Sequence, residues 1–341
     1  MRRIVKMQFA LVDPDEWRRR SVTKADRRCK KDGVFEPSVQ EVDEDGNTIY
    51  GGLMDPRMGT IFDGRPCETC NEGKTDCPGH WGHIELERAI VHPAHLKVVL
   101  AILSSICSKC FKLRLDPNRE NPKTQHIELR QILATPVNSK EQRLKRVAAI
   151  CTKAKKCDHC GHFLPKYTKN PVFPLSICEQ RREVDENDNA RDREKTTVSG
   201  EDVRRCFGKI KPHTRRQLGF TNERDGKPEW LLLTVLPVAP PHVRPSVRFG
   251  SKSSHDDITS KYADIIKANI EFKKVIEQDT SKRIREAEEN LTWQVATLFH
   301  NERSDVLQSQ QRGDKRPLRT LRSRIVGKAG RVRGNLMGKR V

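Results

Sequence analysis

The chain has 341 residues, 35% hydrophobic, 5% aromatic and 33% charged. That apolar supply is thin for one large core, so the composition favours small metal-stapled domains or a piece of a larger assembly. Its 66 Lys and Arg against 46 Asp and Glu give a formal charge of +20, which suits a polyanionic partner, nucleic acid first.

No run of ~20 apolar residues exists to span a membrane, and Met1-Arg-Arg-Ile-Val-Lys6 lacks the apolar stretch of a signal peptide. The expectation is a reducing compartment, where the eleven cysteines signal metal binding rather than disulfides. Residues 1–50 are mixed and polar. Residues 51–85 are rich in Gly, Pro and Cys without helical periodicity, which reads as loops pinned by something other than a core. Ile90 to Ile106 is apolar and predicts a helix burying Val91, Leu96, Val99, Leu100, Leu103 and Ile106. A second helical stretch runs from about Thr124 to Ile150, broken near Pro136, with Leu144, Val147 and Ile150 at helical spacing.

Residues 181–201 are highly charged and predict a mobile surface loop. Glu229 to Val238 is a continuous apolar run with β-favouring members and predicts a buried strand. Pro237, Pro240, Pro241 and Pro245 then exclude regular structure and stiffen the backbone. Phe249 to Asp256 reads as an exposed flexible loop. Asp257 is positioned to cap a helix carrying Ile258, Tyr262, Ile265 and Ile266 on one face. Ile284, Ala287, Leu291, Val295 and Leu298 mark a second helix, and the two suit an antiparallel hairpin. Residues 300–318 are polar and turn-rich. Between Arg312 and Arg340 stand eleven Lys or Arg and one acid, Asp314.

Cys67-x2-Cys70-x6-Cys77-x2-His80 is the sharpest motif. Zinc takes four tetrahedral thiolate or imidazole ligands, and a filled set leaves no position for water or substrate, so this site is structural. His83 could compete with His80, but Cys77-x2-His80 mirrors Cys67-x2-Cys70. Cys107-x2-Cys110 and Cys157-x2-Cys160 form a second set. They are separated by more than the ~15–20 residues of ordinary ribbons, and they meet if the intervening helix folds back. Cys151, His159 and His162 are rival ligands there. Cys29, Cys178 and Cys206 read as ordinary thiols.

The run from Arg319 to Arg340 combines cations with Gly327, Gly330, Gly334 and Gly338, which let the backbone approach phosphates. Few aromatics are interleaved, so backbone tracking without sequence reading is expected. No phosphate-binding loop, His-Glu-x-x-His motif or cluster of aspartates for two catalytic metals is present.

Several segments together resemble the N-terminal part of the largest subunit of multisubunit RNA polymerases. They are Gly51-Gly-Leu-Met-Asp-Pro-Arg-Met-Gly-Thr60, Cys77-Pro-Gly-His-Trp-Gly-His-Ile84, Leu233-Thr-Val-Leu-Pro-Val238 with Val243-Arg-Pro-Ser246, and Gly330-Arg-Val-Arg-Gly-Asn-Leu-Met-Gly-Lys-Arg-Val341. Val5-Lys-Met-Gln-Phe9 through Ser21-Val-Thr23 looks specifically like RNA polymerase II, a nuclear enzyme.

The resemblance implies an α+β fold, an irregular zinc-stapled clamp over residues 1–240 that closes over DNA and the RNA–DNA hybrid. It implies a proline segment and lid loop at 241–257 and a clamp coiled coil at 258–299, where general initiation factors dock. It further implies a rudder at 300–318 and a switch segment at 319–341. Lys328, Arg333 and Arg340 match template-phosphate contacts, while Val326 stands where the family usually has a further lysine. The family's second zinc uses the residues matching Cys107, Cys110, Cys157 and Cys160, with a non-ligand cysteine at Cys151.

Other polymerase subunits, above all the second-largest, are the implied partners. The family's Asn-Ala-Asp-Phe-Asp-Gly-Asp motif, which holds catalytic magnesium, is not among these residues, so the expectation is a non-catalytic fragment of a longer subunit. The competing readings are a free-standing zinc-dependent nucleic-acid-binding factor and a purely structural interaction module.

Overall fold

The computed structural model describes residues 11–22, 50–61, 64–135, 140–171, 173, 175–184, 190–220, 226–249, 252–278, 281–311 and 315–338. Cys29, the break at Pro136 and Arg340 lie outside them. The chain divides into two compact units, Met1–Asp13 with Ala89–Leu233 and Pro14–Arg88 with Thr234–Val341. The described helices are α1 (Pro14–Arg20), α2 (Leu96–Ser105), α3 (Thr124–Ala134), α4 (Lys140–Cys151), α5 (Gly200–Gly208), α6 (Pro212–Gln217), α7 (Asp257–Gln278), α8 (Ser281–Phe299) and α9 (Leu321–Ile325). The strands are β1 (Gly82–Val91), β2 (Lys166–Lys169), β3 (Ile177–Val184), β4 (Ala190–Val198), β5 (Leu232–Val238), β6 (Val247–Phe249) and β7 (Lys252–Ser254). They form sheets of order β1-β5, β2-β3-β4 and β6-β7. Helix and sheet are mixed, as an α+β reading requires.

In the first unit, Leu96, Val99, Ile102, Leu103 and Ile106 are buried, and their spacing of three and four builds the inner face of α2. The helix does not start at Ile90, as the apolar run suggested. Ile90 and Val91 close β1. His92 is then held extended before Pro93, its side chain accepts the Ala94 N–H at 3.2 Å, and a 3-10 turn at Pro93–His95 leads into α2. α2 and α3 pack on α4, where Leu144, Val147 and Ile150 are buried as expected.

The described residues of the charged stretch 181–201 are mostly strand, up to Val184 and from Ala190 to Val198, where a loop was expected. β3 and β4 pair antiparallel from Ile177↔Val198 to Val184↔Ala190, with an irregularity between Gln180 and Arg182. The backbone ladder organises this hairpin, and among its residues of described burial the buried apolar ones are Ile177 and Cys178 at one end, so alternation gives no signal. Beyond it, Ser199 caps α5 by accepting the Asp202 N–H. A β-carbon at Gly200 would lie 1.8 Å from the Ala89 carbonyl oxygen, so only glycine fits there.

In the second unit, α7 and α8 pack against one another. Ile258, Tyr262, Ile265, Ile266 and Phe272 on α7 and Leu291, Val295 and Leu298 on α8 are buried. Asp256, rather than Asp257, accepts the first free N–H of α7, from Ile258 at 2.9 Å. Asp257 instead receives the Arg319 backbone N–H at 2.9 Å and the Arg316 guanidinium. The stretch read as a flexible loop, Phe249 to Asp256, holds β7 and the last residue of β6, which pair antiparallel and are too short to show periodicity. Pro237 lies inside β5, and Pro241–Val243 form a 3-10 turn.

The guanidinium of the fully buried Arg244 joins three segments of this unit. It donates to Ala239 O at 2.8 Å, Thr259 Oγ1 at 3.1 Å and Leu53 O. Burial pushes Arg244 down to about 10. Asn269 of α7 spans the β1 backbone, accepting from Glu87 N and donating to Glu85 O, both at 3.0 Å.

Candidate metal centres

The structure brings Cys67, Cys70, Cys77 and His80 together in the second unit, and Cys107, Cys110, Cys157 and Cys160 in the first. In each set one ligand atom per residue lies within 4.8 Å of all the others.

Three Cys-x-x-Cys segments make the same backbone turn. The N–H four residues after the first cysteine returns to that cysteine's carbonyl: Asn71 to Cys67 at 2.7 Å, Phe111 to Cys107 at 3.0 Å and Gly161 to Cys157 at 2.8 Å. The first cysteine's own N–H bonds the carbonyl five residues on, at Glu72, Lys112 and His162, each at 2.9 Å. The turn closes through a left-handed residue after the second cysteine: Asn71 at φ 58°, Phe111 at 59° and Gly161 at 67°. Asn and Gly tolerate that conformation readily, whereas Phe is strained there. The fourth segment, Cys77-Pro-Gly-His80, turns at Gly79 (φ 78°).

Backbone N–H groups also point at the sulfurs. Thr69 donates to Cys67 Sγ, Gly79 to Cys77 Sγ and Lys109 to Cys107 Sγ, each at 3.4 Å. Such donors favour thiolate over thiol.

The thiols of each set compete for charge. The Cys157 thiol, helped by nearby backbone N–H groups, holds Cys107 down to about 4, and Cys157 moves upward in return. In the other set the Glu72 backbone N–H lowers Cys70, while burial pushes Cys77 up to about 11. All the sulfurs become thiolate together only if a cation balances them, which couples metal binding to proton release. Burial first, and the neighbouring His242 imidazole second, lower His80 and favour the uncharged ring a metal needs.

The spacing fits such an ion. Sulfur pairs stand at 3.6 Å (Cys107–Cys160) and 3.7 Å (Cys110–Cys157), and Cys77 Sγ stands 3.8 Å from His80 Nε2. Ligands ~2.3 Å from a tetrahedral centre lie ~3.8 Å apart. A disulfide would need ~2.05 Å.

The rival ligands fall outside both sets. His83 Nε2 lies 3.6 Å from Glu85 Oε1. Cys151 is buried in the apolar core, its thiol pushed up to about 12 by burial. His159 Nδ1 lies 3.8 Å from Asp116, and His162 contributes its carbonyl to the Cys157 turn.

Sequence reasoning missed the residues that brace the second set. Asp158, inside the Cys157–Cys160 turn, accepts from Asp116 N at 3.0 Å, Arg119 at 2.7 Å and His126 Nε2 at 2.8 Å. Burial alone would raise the Asp158 carboxyl, but the Asp116 N–H, His126 and Arg119 hold it below its usual range. His126 Nδ1 accepts the Lys123 N–H at 3.1 Å, so the ring's proton sits on Nε2, facing Asp158. Arg114 donates to the carbonyls of Leu103, Ile106 and Pro165, satisfying the end of α2 beside the Cys107 turn. An acid between the two cysteines of a Cys-x-x-Cys was the one available signal.

The family described as RNA polymerase Rpb1, domain 1 matches residues 1–336. The chain belongs to this family. It is 32% identical to DNA-directed RNA polymerase II subunit RPB1 of Euplotoides octocarinatus, over 99% of this chain and 68% of that protein. It is also 32% identical to DNA-directed RNA polymerase subunit Rpo1N of Thermococcus celer, over 99% of this chain and 35% of that one. In this Rpb1 domain 1 chain, Lys328 and Arg333 are both exposed. Arg333 sits in a single π-helical segment, Val332–Met337, whose Leu336 and Met337 are also largely solvent-facing. Among the described residues no helix is long and apolar enough to cross a membrane.

Proposed function

We propose that this chain is the clamp part of the largest subunit of a nuclear DNA-directed RNA polymerase II, and that zinc fills both four-ligand sets as a structural ion. The observation that carries the reading is a family match over nearly the whole chain combined with two complete ligand sets. When bound, zinc supplies a tetrahedral crosslink. The chain's own residues aim N–H groups at the sulfurs, fix the turns and leave no ligand position for water.

In this reading residues 1–240 close over DNA and the RNA–DNA hybrid. The 241–257 stretch, with its β6–β7 hairpin, acts as the lid, and α7–α8 is the clamp coiled coil that receives general initiation factors. Residues 300–318 serve as the rudder, and 319–341 as the switch. Lys328, Arg333 and Arg340 neutralise template phosphates. Nucleotidyl transfer belongs to the assembled enzyme and its magnesium, with the second-largest subunit as the main partner.

The test is affinity purification of the tagged chain from the nuclei of its own cells. The expected result is co-purification with the second-largest subunit and template-dependent RNA synthesis. A tagged chain that carries zinc and nucleic acid but no polymerase subunit would overturn the reading in favour of a free-standing factor.

A further inference from the structure

The first centre has a neighbour that the ligand count does not use. His242 stands in the 3-10 turn Pro241–Val243, and both of its ring nitrogens are buried without a hydrogen-bond partner among the described residues. A buried imidazole always carries at least one N–H, and leaving a buried donor unmatched is costly. The ring lies against the metal set. A β-carbon at Gly59 would meet His242 Cε1 at 2.7 Å, His242 Nδ1 at 3.1 Å and Cys77 Sγ at 3.4 Å. One at Gly79 would meet Pro240 at 2.9 Å and His242 Nδ1 at 3.3 Å. Two glycines with positive φ, 121° and 78°, therefore open a slot in which imidazole and sulfur share one small volume. Any other residue at Gly59 would push between them.

We propose that His242 donates a ring N–H to the Cys77 sulfur when a metal ion holds that sulfur as thiolate. The donor lacks an acceptor and the nearby thiolate gains charge on metal binding, so each satisfies the other. Groups behind metal ligands typically tune affinity 10–100-fold, and His242 does so from outside the four-ligand set. This inference rests on the zinc reading above.

The test uses the full chain loaded with cadmium-113 in place of zinc. In the unaltered protein, the metal resonance of the Cys67–His80 set couples through the hydrogen bond to a ring N–H of His242. His242→Phe, which keeps a ring without nitrogen, weakens zinc retention at this set about 10–100-fold in chelator competition. It also shifts that cadmium resonance, while the resonance of the four-cysteine set stays in place. His242→Gln restores an N–H donor and recovers most of the affinity, which a purely space-filling role would not require.

Cadmium bound at the first set without coupling to His242 overturns the proposal, whether or not His242→Phe folds. So does a His242→Phe protein with unchanged metal retention. A first set that takes up neither zinc nor cadmium overturns the zinc reading itself, a distinct result.

Discussion

Replacing Asp158 by alanine tests whether the second set depends on the network inside its turn. The substitution removes three hydrogen bonds at once. Arg119 is half-exposed, so its ion pair is worth ~0–1 kcal/mol. His126 has only 2% of its side chain exposed, and an orphaned buried N–H costs ~1–3 kcal/mol. The Asp116 N–H loses a bond worth ~1 kcal/mol. The expected total is ~2–5 kcal/mol, or a fall of roughly 5–15 °C in melting temperature for a unit of this size.

The melt should be followed by calorimetry on the zinc-loaded chain. Zinc retention at the Cys107–Cys160 set should fall about 10–100-fold in chelator competition. Asp158→Asn keeps one acceptor oxygen and should fall between the two. An Asp158→Ala protein that melts with the unaltered chain and retains its zinc would refute the idea that this carboxylate braces the turn.

Metal analysis should find about two zinc ions per chain, one for each four-ligand set, and Cys77→Ala should lose one of them and much of the folded content of its unit; one ion or none in the unaltered chain would sink the two-site reading. Neutralising Lys328, Arg333 and Arg340 together should weaken DNA binding similarly across sequences and flatten its salt dependence, whereas loss confined to one sequence would contradict backbone tracking. Burial alone would raise the Glu85 carboxyl, but the Arg18 fork at 2.6 and 2.9 Å, then His83, hold it down to about 2. Its stabilising contribution is complete above its ordinary value of 4.5 and disappears as pH falls from there through about 2. Full conversion would give ~3.4 kcal/mol; solvent screening at this pair, whose side chains are 27% and 32% exposed, reduces that to ~1–2 kcal/mol. Arg18→Met should remove most of that acid-limb slope in a pH series of melts, and an unchanged slope would contradict the assignment.

The two ligand sets were legible because metal chemistry constrains residue type and spacing together. Neither constraint depends on the surrounding fold, so even the long gap between Cys110 and Cys157 did not hide the second set. The strand β5 and the α7–α8 hairpin were legible because their buried residues repeat at the right period. The β3–β4 hairpin was not, since its strands are charged along most of their length and are defined by backbone pairing. Ile90 and Val91 misled because one apolar run ends a strand and begins a helix, with His92 and Pro93 as the only punctuation. Asp256 and Asp257 are adjacent, and only the geometry shows which of them caps the helix. His242 and Asp158 carried no periodic signal. Their roles arise from what chain distant in sequence places beside them.

The reach of Arg244 has a consequence for how the protein is made. Its carbonyl partner at Leu53 is synthesised 191 residues earlier. At ~5–20 residues per second on the ribosome, that is a wait of ~10–40 s. The whole of Ala89–Leu233 emerges in the interval and can complete its own core first. Residues 67–80 are also finished early, so a metal ion can close that set while its neighbourhood is still half-made. The stretch around Leu53 and Met54, fully or nearly buried at the end, must meanwhile stay exposed without aggregating. If zinc fills that set, as proposed above, the ion would hold residues 67–80 in shape while the segment that carries Arg244 is still being made.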